Sequence, residues 1–427
     1  VPTEHIKFQK LHTKQTVLYR AMSAQNTGDR QVWRCGRRFG KTTLLEIAVC
    51  QAAINGSAVG WFSPNYKLLT PSYKRILKIL RPIVANASRV DGIIELRTGG
   101  SIEFWTLNDE DAGRSRAYDL AVIDEAGLMK KGLQAIWEQS ISPTLLDRRG
   151  NAIMAGTPKG IDSENFFYQA CTDKSLGWTE HHLPTSENPT LDPVGVAKLQ
   201  EQYPPLVYQQ EFLALFVDWS GAAFFSLASL LVDGQGVPYP QHCDAVFITI
   251  DTAVKTGKDN DSTGCCYWAI NKLFGIPLTL LDWDIVQIEG GLLEVWLPTV
   301  IERGKELAAQ CGARSGFIGA WIEDKSSGSI LLQQAARKGL QAHTIDSGLT
   351  AVGKDERAIS VSGYVFQGKV KLSEYAYNKT KEHKKQTENH FIKQFCGYRI
   401  GVKDQADDLL DCGCYGIAIA LGNAEGY

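Results

Sequence analysis

The chain has 427 residues, is 44% hydrophobic and 22% charged, and carries a formal net charge of −2. That is the make-up of two or three folded domains; it excludes disordered, collagen-like and coiled-coil classes, and no apolar run reaches the ~18 residues of a membrane span. The near-neutral balance also excludes a surface basic all over, so any contact with nucleic acid must rest on local patches.

In chain order, residues 30–35 predict a short strand, 41–54 an apolar helix, 58–63 a strand and 73–85 a basic amphipathic helix. A hairpin is expected over 93–97 and 101–106 around Gly99-Gly100, then buried strands at 120–124 and 151–156. Strands alternating with helices argue for a mainly parallel sheet covered on both faces. Residues 190–216 read as helical, and 219–244, rich in Gly, Pro and Ser, as a linker. A second strand set begins at Ala245, with strands near 262–270, 278–288 and 316–323. Helices are expected near 291–310, 328–338 and 404–421. The ten cysteines include no C-x-x-C pair, so buried free thiols in a reducing compartment are expected. The start, V-P-T-E-H-I-K-F-Q-K, shows no apolar signal-peptide core.

Between the first strand and the first apolar helix lies Cys35-Gly36-Arg37-Arg38-Phe39-Gly40-Lys41-Thr42-Thr43. It matches the phosphate-loop pattern G-x-x-x-x-G-K-[ST] except that Cys35 stands at the first glycine. Backbone N–H groups of such a loop wrap phosphates, Lys41 would reach the β and γ oxygens, and Thr42 would hold Mg²⁺. The run L-A-V-I-D-E-A ends a strand in two carboxylates. Asp124 would complete the Mg²⁺ shell and Glu125 would polarise the attacking water. Thr157, at the strand end A-G-T-P-K-G, is a candidate γ-phosphate sensor. Arg114 or Arg116 could reach a neighbouring subunit's nucleotide, and Gln15 could read the adenine edge.

The second half carries acids at element ends: Asp251, then Glu323 and Asp324, then Asp407, Asp408 and Asp411 on the last helix. Three acidic stations are the hard-oxygen set of a two-metal nuclease holding Mg²⁺ or Mn²⁺. Asp259 and Asp261 are candidate extra ligands, although a plain turn explains them as well. Residues 369–399 are lysine-rich with interleaved aromatics. Lys379, Lys381, Lys384 and Lys385 are the expected contacts to a DNA backbone. Lys74, Arg75, Lys78 and Arg81 form a second basic helix face.

Taken in order, the phosphate loop with its arginines, D-E-A, G-T-P-x-G, Y-Q-Q-E-F-L-A-L-F-V at 208–217, I-E-D-K-S-S-G at 322–328 and A-D-D-L-L-D at 406–411 resemble the large terminase subunit of tailed bacteriophages. The resemblance covers roughly residues 11–422. It implies an α/β chain: a P-loop (additional-strand, RecA-like) ATPase domain at 1–218 with a lid near 180–215, a linker at 219–244, and an RNase H-like nuclease domain at 245–427. It implies that Lys41, Thr42, Asp124 and Glu125 carry ATP hydrolysis, with Arg37 or Arg38 as the loop arginine. It implies that Asp251, Glu323 and Asp408 carry the metals, with Asp407 and Asp411 beside them and Asp324 able to replace Glu323. The implied partners are double-stranded DNA, a small terminase subunit, a portal protein and further copies in a ring, expected to be a pentamer. The implied location is the host cytoplasm and, transiently, the procapsid rather than the virion. Two other readings, a helicase–nuclease and a nucleotide-gated DNA-binding module without cutting, are less well matched. Only one phosphate loop is present, and the acidic stations are intact.

Overall fold

The computed structural model describes residues 6–23, 27–129, 131–219, 223–252, 262–272, 275–287, 293–324, 327–400 and 405–422. The chain divides into two compact units, residues 1–201 with 205–218, and residues 202–204 with 219–427.

Among its described residues the first unit holds eight strands: β1 (Arg30–Cys35), β2 (Ala58–Ser63), β3 (Val84–Ser88), β4 (Ile93–Leu96), β5 (Ser101–Thr106), β6 (Leu120–Ile123), β7 (Asn151–Gly156) and β8 (Thr179–Leu183). Their order is β3-β4-β5-β2-β6-β7-β1-β8. From β5 to β8 every pairing is parallel, while β3 and β4 close one edge antiparallel. A strand buried on both faces needs a continuous apolar run rather than alternation, and β6 is L-A-V-I, buried throughout. Its helices are α1 (Thr13–Ser23), α2 (Lys41–Ile54), α3 (Tyr66–Leu80), α4 (Leu133–Ile136), α5 (Phe166–Thr172), α6 (Pro193–Gln202) and α7 (Pro205–Glu211). α2 is apolar on most sides because it is packed on most sides: Leu44, Leu45, Ile47, Val49 and Cys50 are all buried. α3 begins seven residues before its expected start. Asn65 caps it by accepting from the Lys67 and Leu68 N–H groups, and the exposed Pro71 is tolerated inside it.

The order β6-β7-β1 is what makes a site. Ile123 pairs with Met154 and Arg34 with Gly156. The residues that follow these strands therefore emerge along one sheet edge: the phosphate loop, Asp124-Glu125 and Thr157. β8, inside the range expected to be a lid, is instead a strand of this sheet, parallel to β1.

The second unit has a sheet of order β13-β12-β9-β10-β11-β14. These are β9 (Ala245–Asp251), β10 (Thr263–Ile270), β11 (Leu278–Val286), β12 (Phe317–Ile322), β13 (Ala342–Thr344) and β14 (Val370–Leu372). β9, β10 and β11 form an antiparallel meander, and β12 runs parallel to β9 with Ile322 opposite Ile250. Asp251 and Glu323 thus leave the sheet at the same level. A separate hairpin pairs β15 (Lys381–His383) with β16 (Gln386–Glu388). The helices are α8 (Leu227–Leu230), α9 (Leu293–Gln310), α10 (Ser327–Arg337), α11 (Ser347–Thr350), α12 (Lys354–Phe366), α13 (Glu374–Asn378), α14 (His390–Gly397) and α15 (Asp408–Leu421).

Residues 219–244, expected to be a linker, instead pack into this second unit. Trp219, Phe224, Phe225 and Leu230 are buried, and Phe225 stacks on Phe395 at 4.0 Å between centroids. The apolar residues among the glycines and prolines explain the difference: burying them outweighs the turn composition. All ten cysteines are free, with Cys396 half-buried and the other nine buried. Among the described residues no helix is long and apolar enough to cross a membrane.

Candidate functional site

At the phosphate loop, Gly40 takes φ 95° as α2 begins, a conformation that favours glycine. Its Cβ would also stand 2.5 Å from Gln15 Nε2. The loop is held from outside. Gln15 Nε2 donates to the Gly40 carbonyl at 2.8 Å, Thr185 Oγ1 to the Arg37 carbonyl at 2.7 Å and Asn188 Nδ2 to the Arg38 carbonyl at 2.7 Å. Gln15, expected at an adenine edge, is therefore buried with its amide on the loop backbone. Cys35 is fully buried, and burial pushes its thiol up to about 12, so it fills space as a neutral side chain.

Lys41 and Glu125 form an ion pair at 2.7 Å, and Thr42 Oγ1 donates to Asp124 at 3.2 Å. Burial and then the neighbouring Glu125 charge raise Asp124, against Lys41 and the Thr42 hydroxyl. Burial would raise Glu125 too, but Lys41, Lys159 and Arg37 together bring it below its ordinary value. The two acids of one strand end are thus pushed apart, the pattern of a site that uses them differently. Glu125 also sits in the left-handed region at φ 57°, a strained backbone for a non-glycine residue.

Sequence spacing gave no sign of Glu211. It is buried, and it bonds both Arg37 in the phosphate loop and Lys159 in G-T-P-K-G, the latter at 3.2 Å. Burial opposes its charge, but Lys159 and Arg37 hold it down to about 2 from 4.5. A depressed carboxylate stabilises the fold above its unfolded pKa, and that stability is lost as pH falls from about 4.5 toward 2. The difference amounts to roughly 3 kcal/mol. Urea unfolding at pH 6 and pH 3 should therefore show wild type losing about 2 kcal/mol more stability than Glu211→Gln, because pH 3 lies part-way through that window.

In the second unit, α15 is fixed against β9 and β10. Thr249 Oγ1 donates to the Cys412 carbonyl at 2.9 Å, and the Cys412 thiol to the Gly264 carbonyl at 3.2 Å. Gly264, opposite Asp251, lies close under the start of α15: a Cβ there would stand 3.2 Å from the Asp408 carbonyl oxygen, a tight contact. Asp251 is raised well above the ordinary carboxylate range by desolvation and then by Asp411, Glu323 and Asp408, with Arg357 opposing. Four carboxylates therefore feel one another at one end of the sheet. Buried Arg357 pairs with Asp411 and lies 4.3 Å from the centroid of the Tyr415 ring, while Lys354 pairs with Asp407 at the start of α15. Among the described residues no group of three or more His, Cys, Asp or Glu side chains is placed to hold a metal ion. The hard anionic oxygens of Asp251, Glu323, Asp408 and Asp411 are of the type that suits a divalent cation.

No protein-family model matches the chain. It is 24% identical over 263 residues to the large terminase subunits of Thermus phage G20c and of Thermus virus P23-45. The aligned stretch is 52% of this chain and 52% of each relative, so the chain spans about half the length of the curated relatives it matches. The large terminase of a thermophilic bacteriophage superposes with a TM-score of 0.67 at 16% identity, over 97% of this chain and 100% of that one. The chain has the large-terminase fold. The same phage protein in complex with ATP-γ-S gives a TM-score of 0.66 at 15% identity, over 95% of this chain and 98% of that one.

Within this large-terminase fold the four lysines expected on DNA have different surroundings. Lys379, expected on DNA, is an internal counter-ion: it bonds Asp282 at 2.6 Å and the Trp283 carbonyl at 2.5 Å. Lys381 is engaged with Asp284 at 2.5 Å. Lys379→Met should therefore lower thermal stability and leave duplex affinity within about twofold. A fluorescence-anisotropy titration beside a thermal melt checks both. Lys384 and Lys385 are exposed at the two-residue turn of the β15–β16 hairpin, both left-handed at φ 49° and 64°. His383 ties that hairpin to Ser262 at 2.8 Å, next to the start of β10. Asp324 is exposed and accepts from Ser329, whereas Glu323 is buried beside Asp251, so Glu323 is the acid of that strand end that faces the cluster. Arg114 is exposed and pairs with Asp111 at 2.6 Å, and Arg116 pairs with Glu103 at 2.9 Å. Thr157, just past the end of β7, is buried. Asp259 and Asp261 lie outside the described residues.

Proposed function

We propose that this chain is the ATP-driven motor and metal-dependent endonuclease of viral DNA packaging. The observation that carries the reading is the pairing of Lys41 with Glu125 across one sheet edge, on a chain whose other unit brings Asp251 and Glu323 level at theirs. In the first unit the loop N–H groups and Lys41 bind the phosphates of ATP. Lys41 turning from Glu125 toward the γ-phosphate would leave the Glu125 carboxylate to take the proton of the attacking water. Thr42 and Asp124 are the groups that would hold the nucleotide's Mg²⁺. Arg114, exposed on its loop, would complete a neighbouring copy's site in a ring on the portal, expected to be a pentamer.

In the second unit Asp251, Glu323 and Asp408 would hold Mg²⁺ or Mn²⁺, with Asp411 and Asp407 steadied by Arg357 and Lys354. Bound there, such cations supply charge neutralisation and water activation for phosphodiester hydrolysis. Lys384 and Lys385 hold the phosphate backbone beside the cut. The work would take place in the host cytoplasm and on the procapsid, with a small terminase subunit choosing the DNA. The test is direct: the purified chain should hydrolyse ATP and linearise supercoiled plasmid in millimolar Mn²⁺. A chain that binds duplex but does neither would overturn the reading.

A further inference from the structure

Neither site uses the longest acid-free stretch of the first unit. Residues 47–90 contain no Asp or Glu but contain Lys67, Lys74, Arg75, Lys78, Arg81 and Arg89. In a chain of net charge −2 this is a local concentration of positive charge. α3 organises it. Its inner face buries Leu69, Ser72, Tyr73, Ile76 and Leu80. Arg75 turns back to bond Glu46 at 2.6 Å and belongs to the fold. Lys67, Lys74, Lys78 and Arg81 are exposed. At 100° per residue these four fall within about 60° of one another, in a stripe roughly 21 Å long.

The helix dipole explains only part of the stripe. A cation in the last helical turn complements the helix dipole, which accounts for Lys78 and Arg81. Lys67 lies in the first turn, where the dipole opposes it, and Lys74 in the middle. Lys74 and Lys78 are i,i+4 neighbours, and like charges at that spacing repel. Among the described residues Lys74, Lys78 and Arg81 have no carboxylate partner. The positive field continues into a groove of about 470 Å³ beside the helix, where Lys7 joins Lys78 on the wall.

We propose that the outer face of α3 binds the phosphate backbone of duplex DNA. A straight stripe of point charges spans the rise of roughly six base pairs, and beside its Lys and Arg it exposes one aromatic, Tyr66 at the first residue of α3, rather than the cluster of aromatic anchors that a protein partner would use. Such contacts position the duplex without reading its sequence. The inference rests on the reading of the chain as a DNA-handling enzyme and adds a second grip, on the nucleotide-binding unit rather than on the unit that carries the cutting acids.

The test compares the full chain with its Lys74→Ala/Lys78→Ala/Arg81→Ala variant. Both are titrated with a fluorescent 30-bp duplex in EDTA, by anisotropy, from 50 to 200 mM NaCl. Three lost phosphate contacts should lower the slope of log affinity against log salt by about 2 to 3 and weaken binding at 100 mM salt by about tenfold or more. The milder Lys74→Gln/Lys78→Gln pair should lower the slope by about 2, with thermal melts unchanged in both variants. A variant that binds with the wild-type slope overturns the α3 assignment and leaves the DNA reading standing. A wild-type chain with no salt-dependent duplex binding overturns both.

Discussion

Glu125→Gln should reduce steady-state ATP hydrolysis by about 10²- to 10⁴-fold, the range a positioned general base supplies. The substitution keeps the side chain's shape and removes its charge. Glu125 is the acid of its pair that stays ionised: Lys41, Lys159 and Arg37 favour its charged form, while burial and the Glu125 charge disfavour that of Asp124. A glutamine cannot accept the water's proton, so turnover falls while the loop that binds phosphate is untouched. Nucleotide affinity, read with a fluorescent ATP analogue, should change by only a few fold. Lys41→Ala should lose both, because Lys41 serves binding and catalysis at once. If Glu125→Gln hydrolyses ATP at the wild-type rate, the base lies elsewhere on the sheet edge. Cutting of plasmid in Mn²⁺ should survive both substitutions, since the acids of the second unit share no residue with this site.

The sheet edge was legible because its parts are local. L-A-V-I followed by D-E is an apolar run that only a doubly covered strand requires, and G-K-T opening an apolar helix needs a strand before it. The α3 start was not legible, because Pro71 reads as a breaker although it lies on the helix's exposed face, where its missing N–H and bulky ring cost least. Nor were the small elements between residues 339 and 400, since three-residue strands such as β13, β14 and β15 are too short for any periodicity to show.

What no spacing rule reaches is a long-range ion pair. Arg37 and Glu211 are 174 residues apart, and Arg357 and Asp411 are 54 apart. Lys379 and Lys384 look alike in sequence. One is an internal counter-ion because Asp282 stands within 2.6 Å of it, and the other is exposed at a hairpin tip. Composition identified the lysine-rich stretch; only the fold could divide it into structural and exposed lysines. The same holds for Glu323 and Asp324, neighbours just past the end of β12, of which one is buried and the other exposed.

Asp251→Ala should abolish Mn²⁺-dependent plasmid cutting, by more than about 10³-fold, and leave ATP hydrolysis within about twofold of wild type. Asp251 stands at the centre of the mutual repulsion, with Asp411, Glu323 and Asp408 all raising it and Arg357 alone among its named neighbours opposing them. Such a cluster is a cost to the apo fold. Removing one member relieves like-charge repulsion, so the metal-free melting temperature should hold or rise by about 2–4 °C per kcal/mol relieved. A structural aspartate would behave in the opposite way, because its loss would leave partners unsatisfied and lower the melting point. Mn²⁺ itself supplies the second readout. Cations bound by the folded acids should raise the wild-type melting temperature, and the rise should shrink in Asp251→Ala. Loss of cutting together with a stable fold and a weakened Mn²⁺ response assigns Asp251 to the chemistry. Cutting that persists at the wild-type rate removes this end of the β9–β12 sheet from the reaction altogether.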